Sequence, residues 1–328
     1  MSNKIDSKIQ EILGIHHYKA LTQIGKGGFS TVYLVEHLLC HTFYAIKITD
    51  VNDKKWSIIQ YYRQEVQNLK KLAHKNIIHL YDAFETDEYL FMVLEYCQYG
   101  TIIEFLKQSN SSVNTRYLYY QIIKAVQYIH SLRIAHLDIK PANILVDANG
   151  TPKLSDFGLS TVVLSYNNQI SNYCGSPLYS PPEMKKDSSY DAFCSDIWSL
   201  GVTIYEIASG RSPYKCLQRV NWEQLLEESH FGSDEFSDVL KSMIVVNPNM
   251  RKQCGEVLKM PLFKNLISYA PSLKSTSKPK ITRNIIIKNK SVTAVGHISY
   301  RSNISLANYS LSRSYYTFKG NSNLESID

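Results

Sequence analysis

A chain of 328 residues, 44% hydrophobic and 20% charged, can bury a sizeable core in one large domain or two lobes, which excludes wholesale disorder. Its net charge of +7 is uneven: from Lys264 onward ten Lys/Arg stand against two Asp/Glu, whereas the first 263 residues hold 26 against 27, so the basic character belongs to a tail and no nucleic-acid partner is expected. The chain has no apolar run long enough for a membrane span, Met1–Gln10 lacks an apolar signal core, and the six cysteines lack CxxC spacing; the expectation is a protein of the cytoplasm, the nucleus or both, with reduced thiols and no membrane association, disulfide framework or zinc site.

In chain order, Ile5, Ile9, Ile12 and Leu13 recur at helical spacing and predict a short helix lying on the domain, with a docking motif as the alternative. Tyr18–Ile24 and Thr31–Val35 alternate apolar and polar residues around Gly25-Lys26-Gly27-Gly28-Phe29-Ser30. That pattern predicts a β-hairpin whose glycine tip lets backbone amides approach phosphate oxygens. A strand rather than a helix follows the glycines, which argues against a dinucleotide-binding turn. Phe43–Ile48 reads as a strand with one lysine, Lys47, among apolar residues, and Glu65 sits in a helical stretch from about Ile58 to Leu72. Taken singly, each of these charges reads equally well as a solvated surface residue. Ile77–Phe84 and Tyr89–Glu95 read as two further strands, and Ile102–His130 as helical through Ile103, Leu106, Tyr117, Tyr120, Ile123, Val126 and Ile129.

The densest chemistry follows. His136–Val146 and then Asp156-Phe157-Gly158 bring two carboxylates, an amide and a lysine close together, separated by strand-like runs at Ile144–Val146 and Lys153-Leu154. Phosphoryl transfer from a nucleotide needs such a set: a carboxylate near the attacking hydroxyl and oxygen ligands for Mg²⁺. Cys174–Glu183, Ser195–Gly201 and Asn247–Arg251 come next. Beyond Lys264 the pattern dissolves into Ser, Asn, Tyr and Lys with one apolar island, Ile281–Ile287, which predicts a flexible tail whose charge suits an acidic partner.

Together and in this order, these stretches resemble the motifs of eukaryotic protein kinases of the serine/threonine type over roughly Tyr18 to Phe263. The resemblance implies an α+β bilobal fold: an extension at 1–17, a β-rich N-lobe at 18–94 with one key helix, a hinge at 95–100, a mainly helical C-lobe at 101–263, and the tail at 264–328. It implies ATP and Mg²⁺ as cofactors, proteins bearing Ser/Thr as substrates, and a monomer. Asp138 would orient the attacking hydroxyl and accept its proton, Lys140 would neutralise the γ-phosphate, and Asn143 and Asp156 would hold the metal. Lys47, fixed by Glu65, would position the α- and β-phosphates under the loop formed by Ile24, Gly25, Lys26, Gly27 and Gly28. Val32, Ala45 and Leu145 would sandwich the adenine, Leu94 would gate the pocket behind it, and the hinge backbone at Glu95 and Cys97 would hydrogen-bond it, with Cys97 a neutral thiol. Asp196 would brace the catalytic loop, and Glu183 would pair with Arg251.

The departures from the family pattern are as informative. The third loop glycine is replaced by Ser30. Leu137 stands where most of the family has an arginine that grips an activation-segment phosphate, and the two assisting positions are Thr161 and Tyr61, neither basic. A phosphate on Ser165, Ser171 or Tyr173 would lack its cationic pocket, so activity is expected not to require one. Thr101 and Ala142 replace acids associated with a preference for upstream arginine. The subfamily signals conflict: His-Leu-Asp with Lys-Pro-Ala-Asn resembles the Wee-type cell-cycle kinases, Gly-Ser-Pro-Leu-Tyr the autophagy-initiating kinases, and Pro-Pro-Glu-Met with Trp-Ser-Leu-Gly the Aurora kinases. A pseudokinase scaffold and a small-molecule kinase are the alternatives. Retention of Lys47, Glu65, Asp138, Asn143 and Asp156 argues against the first, and a Gly175–Glu183 segment suited to an extended peptide argues against the second.

Overall fold

Period-two alternation produces one antiparallel sheet, in the order β1-β2-β3-β5-β4, from β1 (Tyr18–Lys26), β2 (Ser30–His37), β3 (Phe43–Asp50), β4 (Leu80–Glu85) and β5 (Tyr89–Glu95). The computed structural model describes residues 5–28, 30–51, 56–109, 113–164, 167–171, 174–184, 188–213, 222 and 233–266, all within one compact unit, Met1–Ser272. Phe29, Ser165, Tyr173 and the apolar island at 281–287 lie outside the described residues.

β5 shows how one sheet serves two layers. Tyr89, Phe91 and Val93 face a cluster with Leu13, Tyr18, Val35, Ile46 and Ile48. Leu90 and Met92 face the other way, toward Tyr62. The first face is covered by α1 (Ser7–Ile15), whose start is capped by Asp6 accepting the Lys8 N–H, and His16 stacks on Phe84 at 3.7 Å. The helix predicted from Ile5, Ile9, Ile12 and Leu13 therefore lies on the domain. The second face is covered by α2 (Trp56–Lys71).

Two boundaries differ from the sequence-based expectation. The strand expected from Ile77 enters the sheet only at Leu80. Before that, Ile77 pairs in parallel with Leu154 and the Ile78 N–H donates to the Leu154 carbonyl at 2.9 Å, so this apolar run joins a hairpin of the other lobe instead of extending its own strand. The helical stretch from Ile102 to His130 is two helices, α3 (Ile102–Gln108) and α4 (Thr115–Ser131). Each has its own cap, a Thr101/Glu104 capping box and Asn114 accepting the Tyr117 N–H, and a new N-cap ends any continuous helix.

The larger lobe gathers around α4 and α5 (Ala192–Ser209). α5 is buried along most of its length and ends at Gly210, which adopts the left-handed conformation at φ +65°. A Cβ at Gly201 would lie 2.8 Å from Ile244 Cγ1, so glycine there lets α5 seat against the end of α6 (Asp234–Met243). Short strands position the chemistry: β6 (Ile134–Ala135) with β9 (Thr161–Val162), β7 (Ile144–Val146) with β8 (Pro152–Leu154), and β10 (Gln169–Ile170) with β11 (Tyr190–Asp191). The chain continues through α7 (Cys254–Val257) to a 3₁₀ turn at Pro261–Leu266. Among the described residues no helix is long and apolar enough to cross a membrane.

Leu13 has no exposed surface and anchors α1 in the outer cluster. Leu13→Ala is expected to lower the unfolding free energy by about 3 kcal/mol in urea denaturation. Ile15→Ala, at a position 70% exposed on the same helix, should change it by less than about 0.5 kcal/mol. Equal effects would show that α1 contributes nothing to the packing of the sheet.

Candidate active site

The cleft between the two lobes is built outward from Lys47. Because β3 alternates, Lys47 leaves the sheet on the α2 side, where its Nζ donates to both Glu65 carboxylate oxygens at 3.0 and 2.9 Å and to Asp156 Oδ1 at 3.1 Å. Burial works against the Lys47 charge, but the Glu65 and Asp156 carboxylates outweigh it and hold the ammonium above the usual lysine range. Burial likewise works against the Asp156 anion, yet the Lys47 ammonium keeps that carboxyl below its ordinary value. Glu65 is buried, whereas the Asp156 side chain keeps about half its surface open (48%).

Two contacts hold α2 where this geometry needs it. Tyr62 Oη donates to the Phe91 carbonyl of β5 at 2.8 Å. Asn68, fully buried, donates from Nδ2 to the Ser160 carbonyl at 3.2 Å and to its Oγ at 2.9 Å. Helix α2 is thereby tied both to the sheet and to the segment just after Asp156-Phe157-Gly158.

The His136–Asn143 stretch is held by Asp196 of α5. This fully buried carboxylate accepts the His136 N–H at 2.7 Å and the Leu137 N–H at 2.8 Å, and meets His130 Nε2 at 2.9 Å. His136 Nδ1 accepts the Asp138 N–H at 3.3 Å and Nε2 faces the Ser155 carbonyl at 3.0 Å, a pairing satisfied by the tautomer protonated at Nε2. Leu137 adopts the left-handed conformation at φ +65°. Its side chain does not enter the cleft. It is 4% exposed in a cluster with Ala135, Val163, Met184, Tyr190 and Ala192.

Asp138 is nearly buried behind Asn143, outside the residues that line the cavity. Its Oδ2 accepts from Lys140 Nζ at 2.7 Å and Asn143 Nδ2 at 3.0 Å, and its Oδ1 accepts from Ser176 Oγ at 2.8 Å. Lys140 also donates to Ser176 Oγ at 2.8 Å. Gly175, at φ +89°, makes this approach feasible, since a Cβ there would sit 2.4 Å from the Leu137 carbonyl oxygen. Asn143 spends its amide N–H groups on Asp138, so Oδ1 is the atom it can offer a cation. A neutral carbonyl oxygen and the half-open Asp156 carboxylate, both lining the same cavity, are hard-oxygen donors of the kind that suits Mg²⁺.

The cavity has a volume of about 1350 Å³. Its walls include Ile24, Gly25, Lys26, Gly27, Gly28, Val32, Ala45, Lys47, Leu94, Glu95, Cys97 and Leu145, together with Glu65, Asn143 and Asp156. Asp138 and Lys140 are joined to this wall through the Asn143 amide. The Glu95 side chain instead pairs with Lys153 Nζ at 2.7 Å. Burial pushes the Cys97 thiol up to about 12, which keeps it neutral. Tyr61, Gln98 and Glu104 also line the cavity. Spacing in the sequence does not reveal the Asn68–Ser160, Lys153–Glu95 or Ser176–Asp138 contacts, because they join polar residues far apart in the chain with no periodic signature. Farther out, Arg251 forks onto Glu183 at 2.5 and 2.8 Å.

A family model described as "Protein kinase domain" matches residues 18–263. Among curated proteins, the chain is 35% identical over 252 residues to Serine/threonine-protein kinase SIK2 of Gallus gallus, covering 75% of this chain and 32% of that protein. It is 33% identical over 255 residues to Serine/threonine-protein kinase SIK1 of Mus musculus and 34% identical over 255 residues to SIK1 of Rattus norvegicus, each covering 76% of this chain and 33% of the relative. The chain thus spans about a third of the length of the curated relatives it matches.

The two environments of Cys97 and Cys40 predict contrasting reactivity. Cys40 is exposed, and a hydrogen bond from the Thr42 side chain leads the interactions that lower its pKa. At pH 8 a thiol titrating near 12 is thiolate in only about one molecule in 10⁴. Alkylation with iodoacetamide followed by peptide mass spectrometry should label Cys40 at least about a hundredfold faster than Cys97. Comparable rates would show that the hinge thiol is not shielded.

Proposed function

This chain belongs to the protein kinase domain family, and on that premise we propose that it transfers the γ-phosphate of ATP to serine and threonine hydroxyls of protein substrates. The observation that carries this reading is the closed set of contacts from Lys47 to Glu65 and Asp156 at the wall of the cleft. Phosphoryl transfer depends chiefly on positioning and charge neutralisation, and this set is already assembled for both.

In the proposed reaction, Val32, Ala45 and Leu145 clasp the adenine and the hinge backbone near Glu95 and Cys97 hydrogen-bonds its edge. The loop at Ile24–Gly28 covers the phosphates, with the Gly27 N–H held by the Ser30 carbonyl at 2.8 Å. Lys47 holds the α- and β-phosphate oxygens. Asn143 and Asp156 would hold Mg²⁺, which when bound supplies positive charge to the phosphate oxygens. The substrate hydroxyl aligns on Asp138, which takes its proton as the oxygen bonds to the γ-phosphorus and the bond to the β–γ bridging oxygen breaks, releasing ADP. Lys140, already on Asp138 and Ser176, faces the charge carried by the transferred group.

The scaffold alternative drew on Leu137 and Ser30. Neither position removes a group from the cleft: Leu137 is turned into its apolar cluster, and Ser30 closes the glycine turn through its backbone. Thr101 and Glu104 are engaged with each other in the α3 capping box, which is consistent with no strong preference for arginine upstream of the target. The short segments that point to three subfamilies and the names of the relatives agree only at the level of the superfamily. The proposal includes a monomer acting in the cytoplasm, the nucleus or both.

The deciding assay is turnover of Mg-ATP on a generic protein substrate. Asp156→Ala is expected to lower the rate by about 10³-fold or more while the fold survives; a wild-type chain with no turnover above this variant is a scaffold. A separate test concerns regulation. Because the Leu137 position carries no cation, protein treated with a phosphatase should retain most of its activity, measured as initial rate before and after treatment. Loss of most activity would restore a phosphate switch.

A further inference from the structure

Leu137 removes the arginine that would tether the activation segment through a phosphate, yet the described part of this segment is tied down by another route. Arg133, at φ +62° between α4 and β6, faces it. Its backbone carbonyl accepts the Val163 N–H at 2.8 Å and its Nε donates back to the Val163 carbonyl at 3.1 Å. Nη1 donates to Asn168 Oδ1 at 2.7 Å, and the guanidinium lies 5.2 Å from the Phe193 ring centroid.

Asn168 passes the tether on. It sits in the left-handed region at φ +60°, its Nδ2 donates to Asp191 Oδ2 at 3.1 Å, and its carbonyl accepts the Ala192 N–H at 3.1 Å. The amide orientation follows from its partners, with the oxygen toward a cation and the nitrogen toward a carboxylate. The other Asp191 oxygen caps α5 by accepting the Cys194 N–H at 2.8 Å. α5 also carries Asp196, which grips His136 and Leu137. The path therefore closes on itself: α4–β6 junction, activation segment, α5, catalytic loop.

We propose that Arg133 is a positioning residue for phosphoryl transfer, holding the activation segment in register with the catalytic loop through Val163 and Asn168 without any phosphate; this rests on the kinase reading above. A guanidinium suits the task because its fork serves two acceptors while its flat face covers an aromatic ring, which a lysine cannot do at once. The apolar cluster around Leu137 fills the space beneath, and the β10–β11 pairing of Gln169 with Asp191 and Ile170 with Tyr190 continues the attachment.

The test compares full-length wild type with Arg133→Met by amide hydrogen exchange and by kinetics. With two charged hydrogen bonds lost, exchange at Val163 and Ile170 should accelerate about tenfold or more, with α4 and the N-lobe sheet unchanged. KM for ATP should hold while kcat/KM for a protein substrate falls by a similar factor. Unchanged exchange at 161–171, or acceleration spread equally over the whole domain, overturns the proposal, the latter because it marks a merely structural residue. If Arg133→Met does not fold, Asn168→Ala cuts the same path at its middle, between Arg133 and Asp191, and is judged by the same criteria. If the wild type shows no turnover, the kinase reading fails on its own, and the exchange experiment still decides the tether.

Discussion

The arrangement of the His136–Asp138 stretch depends on one buried carboxylate. Asp196 is excluded from solvent, and a desolvated carboxylate is tolerable only when its oxygens are filled with hydrogen bonds. Here the two N–H groups of His136 and Leu137 and the His130 ring supply them. Those N–H groups converge on one point only if the chain turns through the left-handed conformation at Leu137. That turn sends the Leu137 side chain into its apolar cluster and leaves Asp138 bonded to Asn143 of the cleft wall. Remove the carboxylate and two buried donors lose their partner, together with the reason for the turn.

The Lys47 cluster works by the same logic on the opposite wall. A buried glutamate and a lysine beneath a sheet are costly apart and acceptable together. Their register depends on α2, and α2 depends on Tyr62 toward the sheet and Asn68 toward Ser160. Polar contacts from α2 therefore tie the Lys47 cluster to the sheet and to the segment after Gly158. His136, stacked edge-on against Phe157 at 4.8 Å, joins its own stretch to Asp156-Phe157-Gly158 through the core.

Much of this was legible in the residues themselves. The strands announced themselves by alternation, the helices by their apolar stripes, and Lys47, Glu65, Asp138, Asn143 and Asp156 by their order along the chain. Three things were hidden for physical reasons. Ile77 reads as part of its own strand because an apolar run does not say which hairpin it will join. The break between α3 and α4 is hidden because both helices continue the same stripe, and only the caps at Thr101 and Asn114 separate them. The path from Arg133 through Asn168 to Asp191 leaves no trace in periodicity, since it is made by side chains from two turns and a strand end that meet only after folding.

On the proposed kinase reading, the apolar cluster around Leu137 would bear on how long a signal lasts. Contacts made by a phosphate and an arginine weaken with salt and end when the ester is cut. Contacts made by Leu137, Val163, Met184 and Tyr190 do neither, since apolar burial is insensitive to ionic screening and has no bond to hydrolyse. On the proposal above, a chain assembled this way would carry its working shape once folded. Its output would then follow how much of it is synthesised, where it is kept and how fast it is degraded, so that dose and lifetime of the polypeptide become the variables a cell can adjust.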